Sequence, residues 1–335
     1  MIVLGVETSC DETSAAVIED NRVLSSVISS QEIHSQFGGV VPELASRAHV
    51  RLIVPIVEKA VAESGLPKDE IDGFSVTHGP GLVGALLVGV NFVKGLSLAL
   101  KKPFVGVNHI EGHIYGNILS QKEVRFPIIF LIVSGGHTQI VLMKDHLRYE
   151  ILGKTRDDAV GEAFDKGAKM LGLGYPGGPL IDQLAKNGDP QKVSFPRAFL
   201  KNTDFEFSYS GLKTSLLTYI EQNGVEYINA NIHDICASYQ AAAVEVLVKK
   251  TIKAAKIHNA KQIGIAGGVA ANSLLRKWLG EESVKSGFDL YLPDLKYCTD
   301  NAAMIARAGL EYLKRNIHSD QTLNAYPALK LKSQS

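Results

Sequence analysis

Apolar and polar positions follow the same order twice along the chain. Residues 2–30 read as an apolar strand, a polar turn, a second strand over Ser14–Glu19, a turn at residues 20–22 and a third strand. Residues 128–154 repeat this order, with a Ser-Gly-Gly-His turn after the first strand and a second turn near residues 144–146. The two segments share little identity, so what repeats is the order of elements. The pattern predicts two three-stranded meanders of common design.

Helices and strands alternate after each meander. In the first half the predicted elements are, in order, the helix Pro42–Ser64, the strand Gly73–Thr77, the helix Val83–Leu100 and the strand Phe104–Val107. In the second half they are helices over Asp158–Leu171 and His233–Lys256, the strand Gln262–Ala266, a helix after Asn272 and a last helix over Asp300–Lys314. A meander followed by such alternation is typical of a mixed sheet flanked by helices. The predicted fold class is α/β, with two related lobes and a cleft between them.

The polar stretch Gln121–Pro127, just before the second meander, is the predicted linker. It divides the chain into a first lobe of residues 1–125 and a second lobe of residues 126–335. The last helix could pack back on the first lobe, and the pattern leaves this open.

Charge and composition limit the functions open to this chain. The 35 Lys and Arg residues are balanced by 35 Asp and Glu residues, so bulk positive charge cannot hold a nucleic acid, and a local patch or a partner must help. Three cysteines far apart favour neither a disulfide framework nor a cysteine zinc site. With no basic leader and no apolar run near ~20 residues, we expect a soluble cytoplasmic protein.

Glycine-rich turns are the first candidates for ligand binding. They lie at residues 134–136, 174–179 and 267–272, between apolar runs or at the start of a helix. Glycine lets a ligand approach backbone N–H groups, which bind phosphate or carboxylate oxygens. One such turn alone is best explained as an ordinary β-turn, whereas three favour a nucleotide. None matches the dinucleotide or P-loop fingerprints, so a different phosphate cradle is expected.

Two histidines, His109 and His113, follow the strand FVGV and are four residues apart. On a helix this spacing places both on one side, where they could share a metal ion, while Glu111 points to the opposite side. A metalloprotease is therefore disfavoured, because its glutamate must lie beside the metal. Asp300 is the best third ligand, although an aspartate before a helix is also a common N-cap.

Carboxylates near these turns have more than one interpretation. Glu7, Asp11 and Glu12 in the first turn could coordinate a metal, act as a base or simply face solvent. Asp165 lies on the helix after the second meander and could face the cleft. Asp182 follows the second glycine-rich turn and could accept hydrogen bonds from ribose hydroxyls or begin a surface helix.

Taken together, the motifs resemble one known family. In chain order they are GVETSCDET, NHIEGH, LIVSGGHTQ, GYPGGP, SYSGLKTS, AGGVAAN and CTDNAAMIA. This series, over nearly the whole chain, is similar to the tRNA N6-adenosine threonylcarbamoyltransferase family of the TsaD type. The resemblance implies the actin/Hsp70/sugar-kinase fold, with two ribonuclease-H-like lobes around a nucleotide. It also implies transfer of threonylcarbamoyl from threonylcarbamoyl-adenylate to N6 of adenosine 37 in tRNAs that read codons beginning with A, forming t6A.

The resemblance assigns roles by matching motifs. It implies one divalent ion per subunit, iron or zinc, on His109, His113 and Asp300, and activity that depends on Asp11 and Glu12. It implies a threonylcarbamoyl-AMP or ATP/AMP-like nucleotide on Ile132, Val133, Ser134, Gly135, Gly136, Asp165, Gly178, Asp182 and Asn272. Archaeal and eukaryotic relatives have a tyrosine ligand and an asparagine where this chain has Ile132 and His137, so substrate or water is expected to complete the metal shell.

Partners and alternatives also follow from the resemblance. Bacterial members work with a non-catalytic paralogue, TsaB, and an ATPase, TsaE. A small-molecule kinase or ATPase of the same fold would account equally well for the glycine turns, but the paired histidines disfavour it. A non-catalytic scaffold is disfavoured because both histidines and Asp300 are present. Since the chain has no net charge, we expect it to hold tRNA through a local basic patch and a partner, and to bind tRNA weakly alone.

Overall fold

The computed structural model describes residues 1–31, 33–34, 39–119, 123–198, 200 and 204–333. The chain divides into two compact units. The first comprises Met1–Lys122, His146–Arg148 and Pro293–Ser335, and the second comprises Glu123–Asp145 and Tyr149–Leu292. The division predicted at residues 125 and 126 places residues 293–335 in the second lobe and leaves open whether the last helix packs on the first. In the predicted linker, residues 121 and 122 lie outside the described part of the chain.

The first unit is built on a sheet with strand order β3-β2-β1-β4-β5. Its strands are β1 (Ile2–Glu7), β2 (Glu12–Glu19), β3 (Arg22–Ser30), β4 (Gly73–Gly79) and β5 (Phe104–Asn108). The first three strands pair antiparallel, whereas β4 and β5 continue the sheet in parallel to β1. The predicted meander and the two later strands are confirmed.

Helices cover both faces of this sheet. They are α1 (Pro42–Ser64), α2 (Val83–Leu100), α3 (His109–Leu119) and α9 (Ala302–Lys314). Leu4 and Val6 of β1 share one core with side chains of α1 and α2. Gly5 points to the opposite face, since side chains alternate along a strand, and there it meets α9. Glu7, two residues further, belongs to the same face as Gly5.

The backbone of α9 lies unusually close to β1. A Cβ atom at Gly5 would lie 2.4 Å from the Ala302 carbonyl oxygen, and one at Gly309 would lie 2.3 Å from the Ser75 Cβ. Only residues without a side chain permit this approach. The last helix therefore belongs to the first unit, because it buries nearly all its residues against β1, β4 and α3.

The second unit repeats the design of the first. Its sheet has the order β10-β9-β6-β7-β8, from strands β6 (Ile128–Val133), β7 (Thr138–Asp145), β8 (Arg148–Lys154), β9 (Gln262–Ala266) and β10 (Asp289–Tyr291). Read from β8, the strand order matches that of the first sheet, with β6 and β7 antiparallel and with β9 and β10 continuing the sheet in parallel. The internal repeat predicted from the meanders is thus a repeat of topology.

Among the described residues of the second unit there are five α-helices. They are α4 (Val160–Met170), α5 (Gly177–Ala185), α6 (Ser210–Ala230), α7 (Ile232–Ile257) and α8 (Ser273–Ser286). The periodicity predicted α4, α7 and α8 to within a few residues. The helix α6 and the short strand β10 were not predicted.

The helix α2 is an exception to the expectation that the chain has no apolar run long enough to cross a membrane. Among the described residues, α2 is the helix that by length and composition alone could cross a membrane. Its buried side chains pack against β4 and α1.

Candidate metal centre and nucleotide-binding segments

The two candidate histidines lie in the first two turns of α3. Asn108, the last residue of β5, accepts hydrogen bonds through Oδ1 from the N–H groups of Ile110 and Glu111, at 2.9 and 3.4 Å. This cap starts the helix at His109, so His113 lies one turn further on the same side. Their ring centroids are 4.7 Å apart. The shared side predicted from the spacing is confirmed.

Asp300 reaches both histidines from the segment before α9. Its Oδ1 lies 3.2 Å from Nε2 of His113 and 3.5 Å from Nε2 of His109. The helix N-cap is instead the next residue, Asn301, whose side chain accepts from the N–H of Met304 at 3.0 Å. The alternative in which Asp300 serves as the cap is therefore wrong, and its carboxylate faces the histidines.

These three residues fit a metal ion. Their donor atoms lie within 4.8 Å of one another, and in a tetrahedral site with bonds of about 2.1 Å neighbouring donors are about 3.4 Å apart. Two imidazoles and a carboxylate suit zinc or iron. The side chains of His109 and Asp300 remain 12% and 21% exposed, so a fourth position is open to a substrate or water, as in catalytic sites.

A second layer of polar side chains surrounds His109. Glu7, fully buried, has its Oε2 3.3 Å from Nδ1 of His109, and Ser9 Oγ lies 3.1 Å from the same nitrogen. Burial alone would lower the pKa of His109, but the charges of Asp300 and Glu7 outweigh it and raise the pKa to about 9. The surroundings of His109 therefore favour positive charge.

Asp11 and Glu12 lie at the end of the β1–β2 turn, both half-buried. Burial, followed by the negative charges of Asp300 and Asp11, raises the pKa of Glu12 to about 9. The charges of Asp300 and Asp11 thus act on Glu12, although Asp300 lies nearly 300 residues away from the other two in the sequence. A cation beside Asp300 would oppose this shift, because it favours the ionised carboxylate.

The turn itself is held by a histidine that the motifs did not indicate. His49 of α1 is buried, with Nδ1 2.8 Å from the Thr13 hydroxyl and Nε2 3.0 Å from the Cys10 carbonyl oxygen. Burial lowers the pKa of His49. A neutral ring can donate to the Cys10 carbonyl and accept from Thr13, which ties the acidic turn to α1.

Glu111 faces away from the histidines. Its Oε2 accepts a hydrogen bond from the Tyr312 hydroxyl of α9 at 2.8 Å. The glutamate position required of a zinc protease is therefore not filled by Glu111, as the spacing predicted.

In the second unit, the Ser-Gly-Gly-His turn joins β6 to β7. Ile132 and Val133 are buried in β6, whereas Gly135 and Gly136 are exposed at the tip. The Ser134 N–H donates to the His137 carbonyl at 2.8 Å. The tip is thus a closed hairpin turn with exposed backbone, and an incoming ligand could reach its N–H groups.

Two neighbouring glycines permit close contacts around this turn. A Cβ atom at Gly161, near the start of α4, would lie 2.6 Å from the Ser134 carbonyl oxygen. A Cβ atom at Gly267 would lie 2.4 Å from the Val133 carbonyl oxygen, and Gly267 has φ of +91°. The first and third glycine-rich segments therefore meet at the end of β6.

Asp165 and Gly178 meet at the start of α5. Asp165 Oδ1 accepts from the Gly177 N–H at 2.8 Å, and burial raises the pKa of its carboxyl group. Gly178, the second residue of α5, is half-buried. Asp165 therefore caps α5 in addition to any contact with a ligand.

Asp182 and Asn272 meet where α5 approaches the start of α8. Asp182 Oδ1 accepts from the Ser273 hydroxyl at 2.7 Å. Asn272 caps α8 by accepting from the Leu275 N–H at 2.9 Å, and its amide donates to Gln240 at 3.1 Å. A cavity of about 340 Å³ lies next to Ser273 and is lined in part by Gln240, Ser273, Lys186 and Lys277. Those four residues carried no signal in the sequence beyond their polarity.

Glu7 was predicted only as one of three first-turn carboxylates, and the motifs did not indicate Ser9 or Thr77, which both donate hydrogen bonds to it. Glu7 had one available signal, since it places a charge at the end of the apolar run IVLGVE. Ser9 and Thr77 had none, because a hydroxyl residue is common in turns and strands.

Comparisons with known proteins agree with this architecture. A solved structure, the activator of 2-hydroxyisocaproyl-CoA dehydratase from Clostridium difficile with bound ADPNP, is similar with a TM-score of 0.53 and 15% identity, over 94% of this chain and 97% of that one. It supports the actin/Hsp70/sugar-kinase fold predicted from the resemblance.

Sequence comparisons are more specific. The family model described as tRNA N6-adenosine threonylcarbamoyltransferase matches residues 22–307. A relative of that name from Thermosipho africanus is 53% identical over 99% of this chain and 100% of its own length. Another from Caldicellulosiruptor saccharolyticus is 51% identical over 99% of each chain. The chain belongs to the tRNA N6-adenosine threonylcarbamoyltransferase family.

Proposed function

We propose that this chain transfers a threonylcarbamoyl group from threonylcarbamoyl-adenylate to N6 of adenosine 37 in tRNAs reading codons that begin with A. The observation that carries the proposal is the convergence of two histidine Nε2 atoms on Asp300 Oδ1, in a chain of this family. A non-catalytic scaffold would have no need of three aligned metal donors.

His109, His113 and Asp300 would hold one iron or zinc ion. Such an ion, when bound, supplies Lewis-acid polarisation of a carbonyl oxygen. In the transfer, a bond forms between adenosine N6 and the carbamoyl carbon, the bond from that carbon to the phosphate oxygen breaks, and AMP leaves. N6 loses one proton. Asp11 and Glu12 are the proposed acceptors, since the charge of Asp300 acts on Glu12 and a cation held by Asp300 would favour the ionised form of the Glu12 carboxyl group.

The adenylate is proposed to bind in the second unit. The exposed Gly135 and Gly136 would offer backbone N–H groups to phosphate oxygens. Asp182 and Asn272 both accept hydrogen bonds from backbone N–H groups at the start of α8 and would contact the nucleoside there. Asp165 and Gly178, which meet at the start of α5, would form a further part of the nucleotide-binding site.

Partners and compartment are proposed from the family. tRNA is the acceptor, TsaB and TsaE are the protein partners, and the compartment is the cytoplasm. Cys10, Cys236 and Cys298 form no disulfide among the described residues, which is compatible with a reducing compartment. The balance of 35 positive and 35 negative residues supports weak tRNA binding by the chain alone.

The decisive experiment measures transfer of labelled threonine to tRNA by the complete system of this chain, both partners and a threonylcarbamoyl-adenylate source. His113→Asn should lower the transfer rate by at least about 100-fold and reduce bound metal, because one of three protein ligands is lost. The matched control is Glu111→Gln on the same helix, which keeps an acceptor for Tyr312 and should retain metal and transfer. No transfer by the wild type in the complete system would overturn the proposed function.

A further inference from the structure

We propose that Glu7 is the positioning carboxylate of the metal centre, which holds His109 in the tautomer that leaves Nε2 free to bind the ion. The inference rests on the metal centre proposed above. It adds a residue that contacts neither the ion nor the substrate and acts through His109.

Glu7 is held rigidly in the sheet. It is fully buried at the end of β1, and its Oε1 accepts from the Ser9 N–H at 2.5 Å. Its Oε2 accepts from the Thr77 hydroxyl of the neighbouring strand β4, also at 2.5 Å. A buried carboxylate is costly unless it is hydrogen-bonded, and these two donors fix both oxygens. The side chain therefore has one orientation, which presents Oε2 to His109.

His109 meets this carboxylate through the nitrogen that does not face Asp300. Nδ1 lies 3.3 Å from Glu7 Oε2 and 3.1 Å from Ser9 Oγ, whereas Nε2 lies 3.5 Å from Asp300 Oδ1. Metal-binding histidines donate their other ring N–H to an acceptor, which selects the tautomer and raises ligand basicity. An ionised carboxylate is a stronger hydrogen-bond acceptor than a hydroxyl group.

His113 provides an internal contrast. Its Nδ1 is buried and has no hydrogen-bond partner within the described part of the chain. The two ligands therefore differ. His109 is oriented by a carboxylate fixed in the sheet, and His113 is oriented by its place in α3. A change at Glu7 should act on one histidine and leave the other unaffected.

The test is zinc binding by the full chain with Glu7→Gln, measured by competition with a chromogenic chelator. The isosteric amide removes the charge, and affinity should fall about 10- to 100-fold. In ¹⁵N-histidine NMR of the zinc-loaded protein, the Nδ1–H resonance of His109 should move, and that of His113 should stay. Thr77→Val keeps the charge but removes one of the donors that fix it, and a smaller loss is expected.

Two results would overturn the inference. One is wild-type zinc affinity with an unchanged His109 resonance in Glu7→Gln. The other is a Ser9→Ala variant that reproduces the whole loss, since the hydroxyl would then be the effective acceptor. If Glu7→Gln does not fold, Thr77→Val decides, because an unchanged His109 resonance there would contradict the role. A wild type that binds no zinc or iron would instead remove the metal centre itself.

Discussion

Gly5 allows α9 to pack closely on β1, and the proposed metal ligand Asp300 lies just before α9. Replacing Gly5 should therefore lower both the stability of the fold and the affinity for metal. In Gly5→Ala the new Cβ would lie 2.4 Å from the Ala302 carbonyl oxygen and 2.7 Å from the Ala306 nitrogen. Because both contacts are with backbone, α9 itself must move by about 1 Å to restore ordinary van der Waals contact. Overpacking of this kind destabilises a fold by about 1–3 kcal/mol.

The same shift reaches Asp300, two residues before α9. Metal–ligand distances tolerate only about 0.2 Å of error, so a displacement near 1 Å would draw Asp300 out of bonding range of an ion held by His109 and His113. We expect zinc affinity to fall by at least about tenfold, which corresponds to ~1.4 kcal/mol. Chelator competition measures the affinity, and urea unfolding of the zinc-free chain measures the stability.

Gly309→Ala is the matched control. It adds an equally close contact on the same helix, 2.3 Å from the Ser75 Cβ, but nine residues from Asp300. It should lower the free energy of unfolding by a similar amount while zinc affinity stays within about threefold of wild type, a difference of under ~1 kcal/mol. Equal losses of affinity in the two variants, or none in Gly5→Ala, would refute the reasoning.

Two further predictions concern α9. Burial acts to raise the pKa of Glu311, but Arg307 and Arg315 outweigh it and lower the pKa. The resulting stabilisation is present above the unfolded carboxyl pKa of about 4.3 and is lost as the pH falls through the folded value. Glu311→Gln should therefore cost about 3 kcal/mol at pH 7, with the difference narrowing below pH ~4 in urea unfolding, and a difference independent of pH would contradict the assignment. Asn301→Ala should cost about 1 kcal/mol through loss of the α9 cap. Asn301→Ser, whose hydroxyl keeps an acceptor for the Met304 N–H, should cost less, and equal thermal stabilities of the two variants would argue against the cap.

Local patterns in the sequence account for most of the elements. Alternating apolar positions in residues 2–30 and 128–154 predicted both meanders, because successive side chains of a strand point to opposite faces of the sheet and those on a covered face are buried. The four-residue spacing of His109 and His113 predicted one shared side, because α-helical geometry relates residues one turn apart. Spacing also predicted that Glu111 points away. Such inferences need no knowledge of distant residues.

Motif resemblance predicted more than periodicity did, but it predicted the roles of residues and not the contacts between them. It named Asp300 as a metal ligand while the local pattern left it equally plausible as an N-cap. The structure separates the two interpretations, since Asn301 caps α9 and Asp300 faces the histidines. The difference of one residue lies within the usual uncertainty of a helix boundary.

What the sequence by itself determined is the repeated order of elements, the histidine pair and the glycine-rich turns. The tertiary structure alone decided that residues 293–335 join the first unit, that the Asp300 carboxylate faces His109 instead of capping α9, and that Thr77 and Glu7 support His109 from two adjacent strands. These contacts join residues 70 to 191 positions apart. They depend on the order of the strands in the sheet and on the close approach of α9 to Gly5. A periodic pattern contains neither, because it indicates only which side of an element is buried.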